Sequence, residues 1–204
     1  MLKILETRTA PNPRRVRIFM AEKGLEVAYE DLDLMKGALK TPEFTQLNPF
    51  QRVPVLILKD GTAISETMAI CRYAEEVQPT PPLFGAGARG KALTEMWNRR
   101  MEMGLLLSVA QAFRHLHPAM AHLEVPQVKD WGEANKPRAL DILSIMDGEL
   151  ATRPYIAGQD FSVADITALV AVDFMKVARI RRPEYLKNLD RWHKDVSSRP
   201  SAKA

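Results

Sequence analysis

Cysteine is almost missing from this chain of 204 residues, where Cys71 stands alone. One thiol excludes an intrachain disulfide framework and any zinc site built from several cysteines. Long apolar runs are missing too. None approaches the roughly 18 to 20 residues that a membrane span requires, and 46% apolar residues is an ordinary soluble composition. The N-terminal MLKILETRT moves quickly from a short apolar run to charges and prolines. It has neither the long apolar core nor the small-residue cleavage site of a secretory signal, so a cytoplasmic protein without membrane attachment is expected. Basic residues outnumber acidic ones by 29 to 25, a net charge of +4, but they are spread along the chain. The densest groups, Arg14, Arg15, Arg17 and Arg179, Arg181, Arg182, are not interleaved with aromatics, so no nucleic-acid partner is expected. A last absence is local. The stretch TRTAPNPRRVRIFMAEKGL opens a helix behind two prolines with Asn12 at its start, and no Ser, Cys or Tyr stands where the chain turns.

What is present changes character near residue 78. Before it, β-like runs alternate with helical patterns: LKIL, a helix over 12–23, VAYEDLDL, a short helical TPEFTQL, VPVLIL, a turn at Asp60-Gly61, and a helix over 65–77. The first helix repeats Val16, Phe19 and Met20 at helical spacing and stops at Gly24; the later one carries Ala69, Ile70, Tyr73, Ala74 and Val77 on one stripe. Cys71 lies inside that amphipathic helix and reads as core. The proline- and glycine-rich QPTPPLFGAGARG cannot continue a helix and reads as a linker. Beyond it the pattern predicts helices over 89–116, 127–152, 162–180 and 185–197, and no strand. The division expected is an α/β domain over 1–78, a linker over 79–90 and an all-helical domain over 91–204.

Two local motifs in the first part carry chemistry. Val53-Pro54 heads a strand, where a residue lacking an N–H is tolerated; it is either a trans edge-strand start or a cis peptide that presents the Val53 backbone to an extended ligand. Ser65, Glu66 and Thr67 open a helix directly after a strand. They read either as ordinary capping or as a site where helix N–H groups and a hydroxyl take a carboxylate while Glu66 faces an ammonium, the two charges of an amino-acid head group.

The order of these pieces, with the segments VRIFMAEKGLEVAYEDLDL, TPEFTQLNPFQRVPVLIL, ISETMAICRYAEE, YIAGQDFSVADITA and NLDRWHKDVSSRPSAKA, resembles the cytosolic glutathione transferase family over nearly the whole chain. The resemblance implies an N-terminal thioredoxin-like domain followed by an all-helical domain. By similarity, Glu66 and Thr67 hold the γ-glutamyl head of glutathione, and Val53 pairs its backbone with the cysteinyl part beside a cis Pro54. Arg52 then stands near the glycyl end. Many relatives have a His shortly before TPEF where this chain has Leu39 and Lys40, so Lys40 is the candidate for the glycyl carboxylate. The family's Ser or Cys position falls on Ala10, which neither donates nor attacks. The Pro11-Asn12 turn instead resembles the bacterial nu class, which makes Asn12 the catalytic candidate, with Thr9, and more weakly Thr7, beside it.

The chemistry asked of Asn12 is to favour thiolate over thiol. A free thiol has a pKa near 8.5 and is only a few per cent ionised at neutral pH. Lowering that pKa by about two units takes roughly 2.7 kcal/mol. A helix end supplies about 0.3 to 2 kcal/mol and a hydrogen bond to a charged group about 1.5 to 3, so the two together suffice. The alternative role for Asn12 is an N-cap followed by Pro13 at the first helical position, and the two roles are compatible.

In the second half, Ser162 and Asp165 form a capping-box pattern, with Phe161 able to staple onto Ile166, so Asp165 is given a structural role. Met101 and Leu105 are the candidates for an apolar electrophile pocket facing the interdomain cleft that the resemblance implies. His115 and His117 lie two apart, on different faces of a helix, which argues against a shared metal site; no metal is expected. The resemblance implies a cytoplasmic homodimeric transferase of the detoxification type, with the α/β half of one chain against the helical half of the other. Its partners are glutathione and a hydrophobic electrophile or disulfide. Two alternatives stand beside conjugation: glutathione-dependent disulfide reduction, and a non-catalytic binding or interaction protein on the same fold.

Overall fold

The computed structural model describes residues 2–204, and the chain divides into two units. One runs to Pro82 and is rejoined by Pro200–Ala204; the other is Leu83–Arg199. The return of the last five residues to the first unit differs from the division read from the sequence, which left them with the helices. The cause is local. Ser201 donates to the Glu22 carboxylate and Arg14 Nη2 donates to the Ala202 carbonyl at 3.3 Å, tying the chain end to the first helix.

The first unit is a four-stranded mixed sheet with helices. Its elements are β1 (Leu2–Glu6), α1 (Pro11–Glu22), β2 (Val27–Asp31), α2 (Pro42–Leu47), β3 (Val55–Ile57), β4 (Ala63–Ser65) and α3 (Thr67–Val77). The strand order is β2-β1-β3-β4, with β1 parallel to β2 and antiparallel to β3, and β3 antiparallel to β4. A parallel β1–β2 pair needs a crossover, and α1 is that crossover. The apolar stripe predicted for α1 is buried at Val16, Phe19 and Met20. Gly24, at φ +62°, ends the helix in the left-handed region that a side chain disfavours. From α3, Ile70, Cys71 and Ala74 are each 0% exposed, so the lone thiol is core, as its place on the helix predicts. This is the thioredoxin-like arrangement expected from the order of strands and helices.

The second unit is helical: α4 (Gly87–Arg99), α5 (Leu107–Leu116), α6 (Lys129–Leu150), α7 (Val163–Phe174) and α8 (Lys187–Ser197). The helix predicted over 89–116 is interrupted, because Arg100–Leu106 widens into π-helical turns between α4 and α5. α6 runs through Pro137, which costs one internal hydrogen bond without ending the helix. Gly132 lets α6 approach the end of α5: a Cβ there would meet Leu116 Cγ at 2.6 Å. Among the described residues this unit has no strand, only an isolated bridge between Tyr155 and Gly158.

Candidate functional site at the sheet end

Strand polarity brings the sequence-predicted residues together. β1 ends at Glu6, β3 begins at Val55 antiparallel to it, and β4 ends at Ser65 antiparallel to β3. The register pairs Leu5 with Val55 and Val55 with Ser65. These three residues therefore form one row across the sheet, about 10 Å long at the usual strand spacing. Three segments leave that row at the same end of the sheet: the turn into α1, the Val53-Pro54 segment, and the Glu66-Thr67 start of α3. An extended tripeptide is about 10 to 11 Å long and matches the row.

The turn after β1 is fixed from several sides. Thr7 Oγ1 donates to the Leu32 carbonyl at 2.8 Å, the Arg8 N–H donates to Asp31 Oδ1 at 2.9 Å, and the Ala10 N–H donates to the Thr7 carbonyl at 2.9 Å. Underneath, Arg17 bridges Glu6 at 2.5 Å and the Arg8 carbonyl at 3.0 Å, a buried pair that leaves the turn little freedom. Burial and the Glu6 charge push the nearby Tyr29 phenol up to about 12, against an opposing pull from Arg17. Thr7, a weaker candidate at the start, has its hydroxyl proton committed to Leu32, so as a donor it is already used.

Asn12 is not the N-cap. Ala10 occupies that position, with extended backbone, and Pro11, Asn12 and Pro13 follow as the first three helical residues. A helix leaves its first four N–H groups without intrahelical acceptors. Here the one of Ala10 goes to Thr7, and Pro11 and Pro13 have none. The helix start thus keeps a single unpaired backbone donor, the N–H of Asn12, and not the series of N–H groups that a helix without prolines presents. The Asn12 side chain adds a second. Arg15, 1% exposed, donates from Nη1 to Asn12 Oδ1 at 3.1 Å. Because a guanidinium only donates, it fixes which end of the amide it meets, and the Asn12 NH₂ turns away from it as a donor. Asn12 and Thr9 are both exposed at this turn.

The Val53–Pro54 peptide is cis, the isomer implied by the resemblance. The loop that carries it is organised by Asn48, which sequence reasoning missed as a positioning residue. Asn48 is 1% exposed; its Nδ2 donates to the Arg52 carbonyl at 2.8 Å and its Oδ1 accepts from the Phe50 N–H at 3.1 Å. The signal was available in the Asn-Pro at the head of NPFQRVPVL, a turn-initiating pair. Gln51 in the same loop holds φ +51°. Arg52 is exposed there and Val53 half-buried.

At the third segment, Glu66 is the N-cap of α3 with φ +69° and ψ 122°, an unusual backbone for a residue with a Cβ, and no side chain caps the helix. The capping reading of Ser65 and Thr67 therefore gives way. The Thr67 side chain is buried and Glu66 is exposed, with the helix start open to an anion. Backbone strain of this kind concentrates at ligand sites.

Three predicted residues belong to other segments. Lys40 is exposed at the end of a single helical turn, Ala38–Lys40, immediately before α2. Met101 and Leu105 are 1% and 0% exposed in the π-helical segment, and so pack the helical unit. Their helical spacing placed them on an apolar face, and that face is buried. Among the described residues no group of three His, Cys, Asp or Glu side chains is close enough to hold a metal ion.

Comparison with known proteins agrees with this fold. The glutathione S-transferase N-terminal domain profile matches residues 9–77, and the C-terminal domain profile matches residues 97–200. The chain is 38% identical over 203 residues to glutathione S-transferase 2 of Saccharomyces cerevisiae, covering 98% of this chain and 87% of the yeast protein. A crystal structure of a glutathione S-transferase domain-containing protein from Marinobacter aquaeolei superposes with a TM-score of 0.94 at 39% identity, covering 98% of both chains. The crystal structure of yeast Gtt2 does so with the same TM-score at 38% identity, again over 98% of each. The alignment spans both units and nearly every residue, so this chain belongs to the glutathione S-transferase family.

Proposed function

We propose that this chain binds glutathione along the end of its sheet, stabilises the thiolate through Asn12, and directs it at an electrophilic carbon or a disulfide sulfur. The observation that supports this best is the Leu5–Val55–Ser65 row, which gathers the three segments over the length of one extended tripeptide. In this reading the uncapped start of α3 and the Thr67 hydroxyl take the γ-glutamyl carboxylate, and Glu66 takes its ammonium. Val53 pairs with the cysteinyl backbone as an added strand would. Arg52, with Lys40, meets the glycyl carboxylate.

The central residue then carries its sulfur toward the turn into α1, where the N–H and the NH₂ of Asn12 favour the charged form. The protein contributes no covalent nucleophile; the sulfur attacks and its proton leaves to solvent before the attack. Conjugation forms a carbon–sulfur bond and expels a leaving group, whereas attack on a disulfide gives a mixed disulfide with glutathione and frees a thiol. A homodimer is proposed as the working assembly.

Calorimetry of glutathione binding near neutral pH, in two buffers of different ionisation enthalpy, measures affinity and proton release together. Binding with release of a proton supports thiolate formation. Binding without release shows a site that holds glutathione unactivated, which is the non-catalytic reading. Turnover with an aryl halide and with a mixed disulfide then separates conjugation from reduction.

A further inference from the structure

The helical unit contains a cavity of about 500 Å³ where the end of α5, the start of α6 and the chain just after α7 meet. All of its lining residues lie between 112 and 179, so an inference from it does not rest on the glutathione reading. Three cations line it, Lys129, Lys136 and Arg179, against one carboxylate, Glu133. Glu133 is taken by Lys136 at 2.9 Å. Among the described residues neither Lys129 nor Arg179 has an acidic partner. Two uncompensated positive charges therefore share one concavity, and Lys129 sits at the first position of the 22-residue α6, whose dipole adds to the same sign.

A further donor faces this space. α5 ends at Leu116 and His117 takes extended backbone, at φ −83° and ψ 127°, so His115 and His117 both line the cavity instead of pointing apart as a continuous helix would direct them. The Ala119 N–H donates to His117 Nδ1 at 3.2 Å, which places the proton of the neutral ring on Nε2 as a donor. His115 is engaged otherwise: its Nδ1 accepts from the Val128 N–H at 3.0 Å and its Nε2 lies 3.8 Å from Glu124. The rest of the wall is Gln127, whose Nε2 donates to the Arg114 and His117 carbonyls, and the apolar Ala112, Leu116, Val177 and Ala178.

We propose that this cavity binds an organic anion, a carboxylate or a phosphate monoester carrying an apolar body. Lys129 and Arg179 hold the charged group with help from His117 Nε2–H, and the body lies against Leu116 and Val177. The volume is in the range of sites for small organic molecules and exceeds what a bare inorganic anion fills. Positive groups and an apolar wall in one concavity select an amphipathic anion over a neutral or cationic ligand.

Arg179 provides a clean variant. It holds φ +56°, and the Arg179 N–H to Lys176 carbonyl bond at 3.2 Å with the Ile180 N–H to Met175 carbonyl bond at 2.9 Å closes a helix end at which glycine is the usual residue. Arg179→Gly removes the cation and relieves the backbone together. The test titrates phenyl phosphate, benzoate and neutral benzyl alcohol into the full-length protein, into Lys129→Ala and into Arg179→Gly by calorimetry at low salt. Saturable binding of an anionic probe, no binding of benzyl alcohol, and affinity about ten-fold or more weaker in each variant support the proposal. A melting temperature of Arg179→Gly no lower than that of the parent shows that the loss is of charge and not of fold. The tighter of the two anions names the charged group. Absence of saturable binding, equal binding of benzyl alcohol, or unchanged affinity in both variants overturns it.

Discussion

Pro11 and Pro13 remove two of the N–H groups that a helix start normally offers, and so concentrate the donors at one residue. Asn12 carries the remaining backbone N–H and a side-chain amide whose orientation Arg15 sets. Asn12→Ala keeps the first donor and loses the second. At about 1.5 to 3 kcal/mol for a hydrogen bond to a charged group, the thiol pKa of bound glutathione is expected to rise by about one to two units. Turnover at neutral pH falls about ten-fold or more while affinity changes less. Ultraviolet titration of the bound thiolate checks this; an unchanged pKa assigns the work to the backbone N–H or to Thr9. The residue type was legible in the sequence, since only Asn12 at that turn has an amide. Its helical position was not, because the N-cap is settled by backbone dihedrals at Ala10 that no residue type there dictates.

At the scale of elements, Lys23 joins three pieces of the first unit. Its side chain, 0% exposed at the end of α1, reaches Glu75 of α3 at 2.5 Å and donates to the Pro81 carbonyl beyond α3. Lys23→Met leaves the Glu75 carboxylate buried without that partner, and a loss of about 3 to 5 kcal/mol is expected in denaturant unfolding. Adding Glu75→Leu should recover most of it, because the pair costs desolvation that an apolar contact does not. A double variant as unstable as the single one shows that the cost came from packing. The sequence located both helices through their apolar stripes, yet gave no sign that a lysine after one meets a glutamate in the other. It also read one helix over 89–116, since nothing in residues 100–106 breaks helical periodicity; the π-helical widening there is a matter of backbone hydrogen bonding, which side-chain spacing does not encode.

At the scale of the whole molecule, each unit has its own organising centre. In the helical unit it is Asp165, 0% exposed, which accepts from the Ile156 N–H at 2.8 Å, the Ser162 N–H and hydroxyl at 3.0 Å each, and the Trp192 indole N–H at 2.9 Å. Burial raises its pKa and these four donors oppose the rise. Asp165→Ala leaves four buried donors unmet on α8 and on the chain between α6 and α7. A loss of about 3 kcal/mol or more follows, measured by thermal or denaturant unfolding. A loss under about 1 kcal/mol rejects this role. For assembly, Phe50 is the most exposed large apolar side chain among the described residues of the first unit, at 76%. If the proposed homodimer covers it, Phe50→Asp shifts sedimentation toward the monomer; a parent that already sediments as a monomer removes the dimer from the reading.

The sequence by itself determined the two-part plan, the helical faces, the buried thiol and the residue types at the three segments. Those follow from periodicity, from proline and glycine, and from the chemistry of single side chains, all of which are local. Only the tertiary structure decided that these segments share one end of the sheet, because strand register and polarity are properties of pairs of strands distant in sequence. It decided as well that the last five residues belong with the first unit. It placed His117, Lys129 and Arg179 around one cavity for the same reason: a helix that stops at Leu116 and a chain that turns at Arg179 bring together polar groups that are more than sixty residues apart at their extremes.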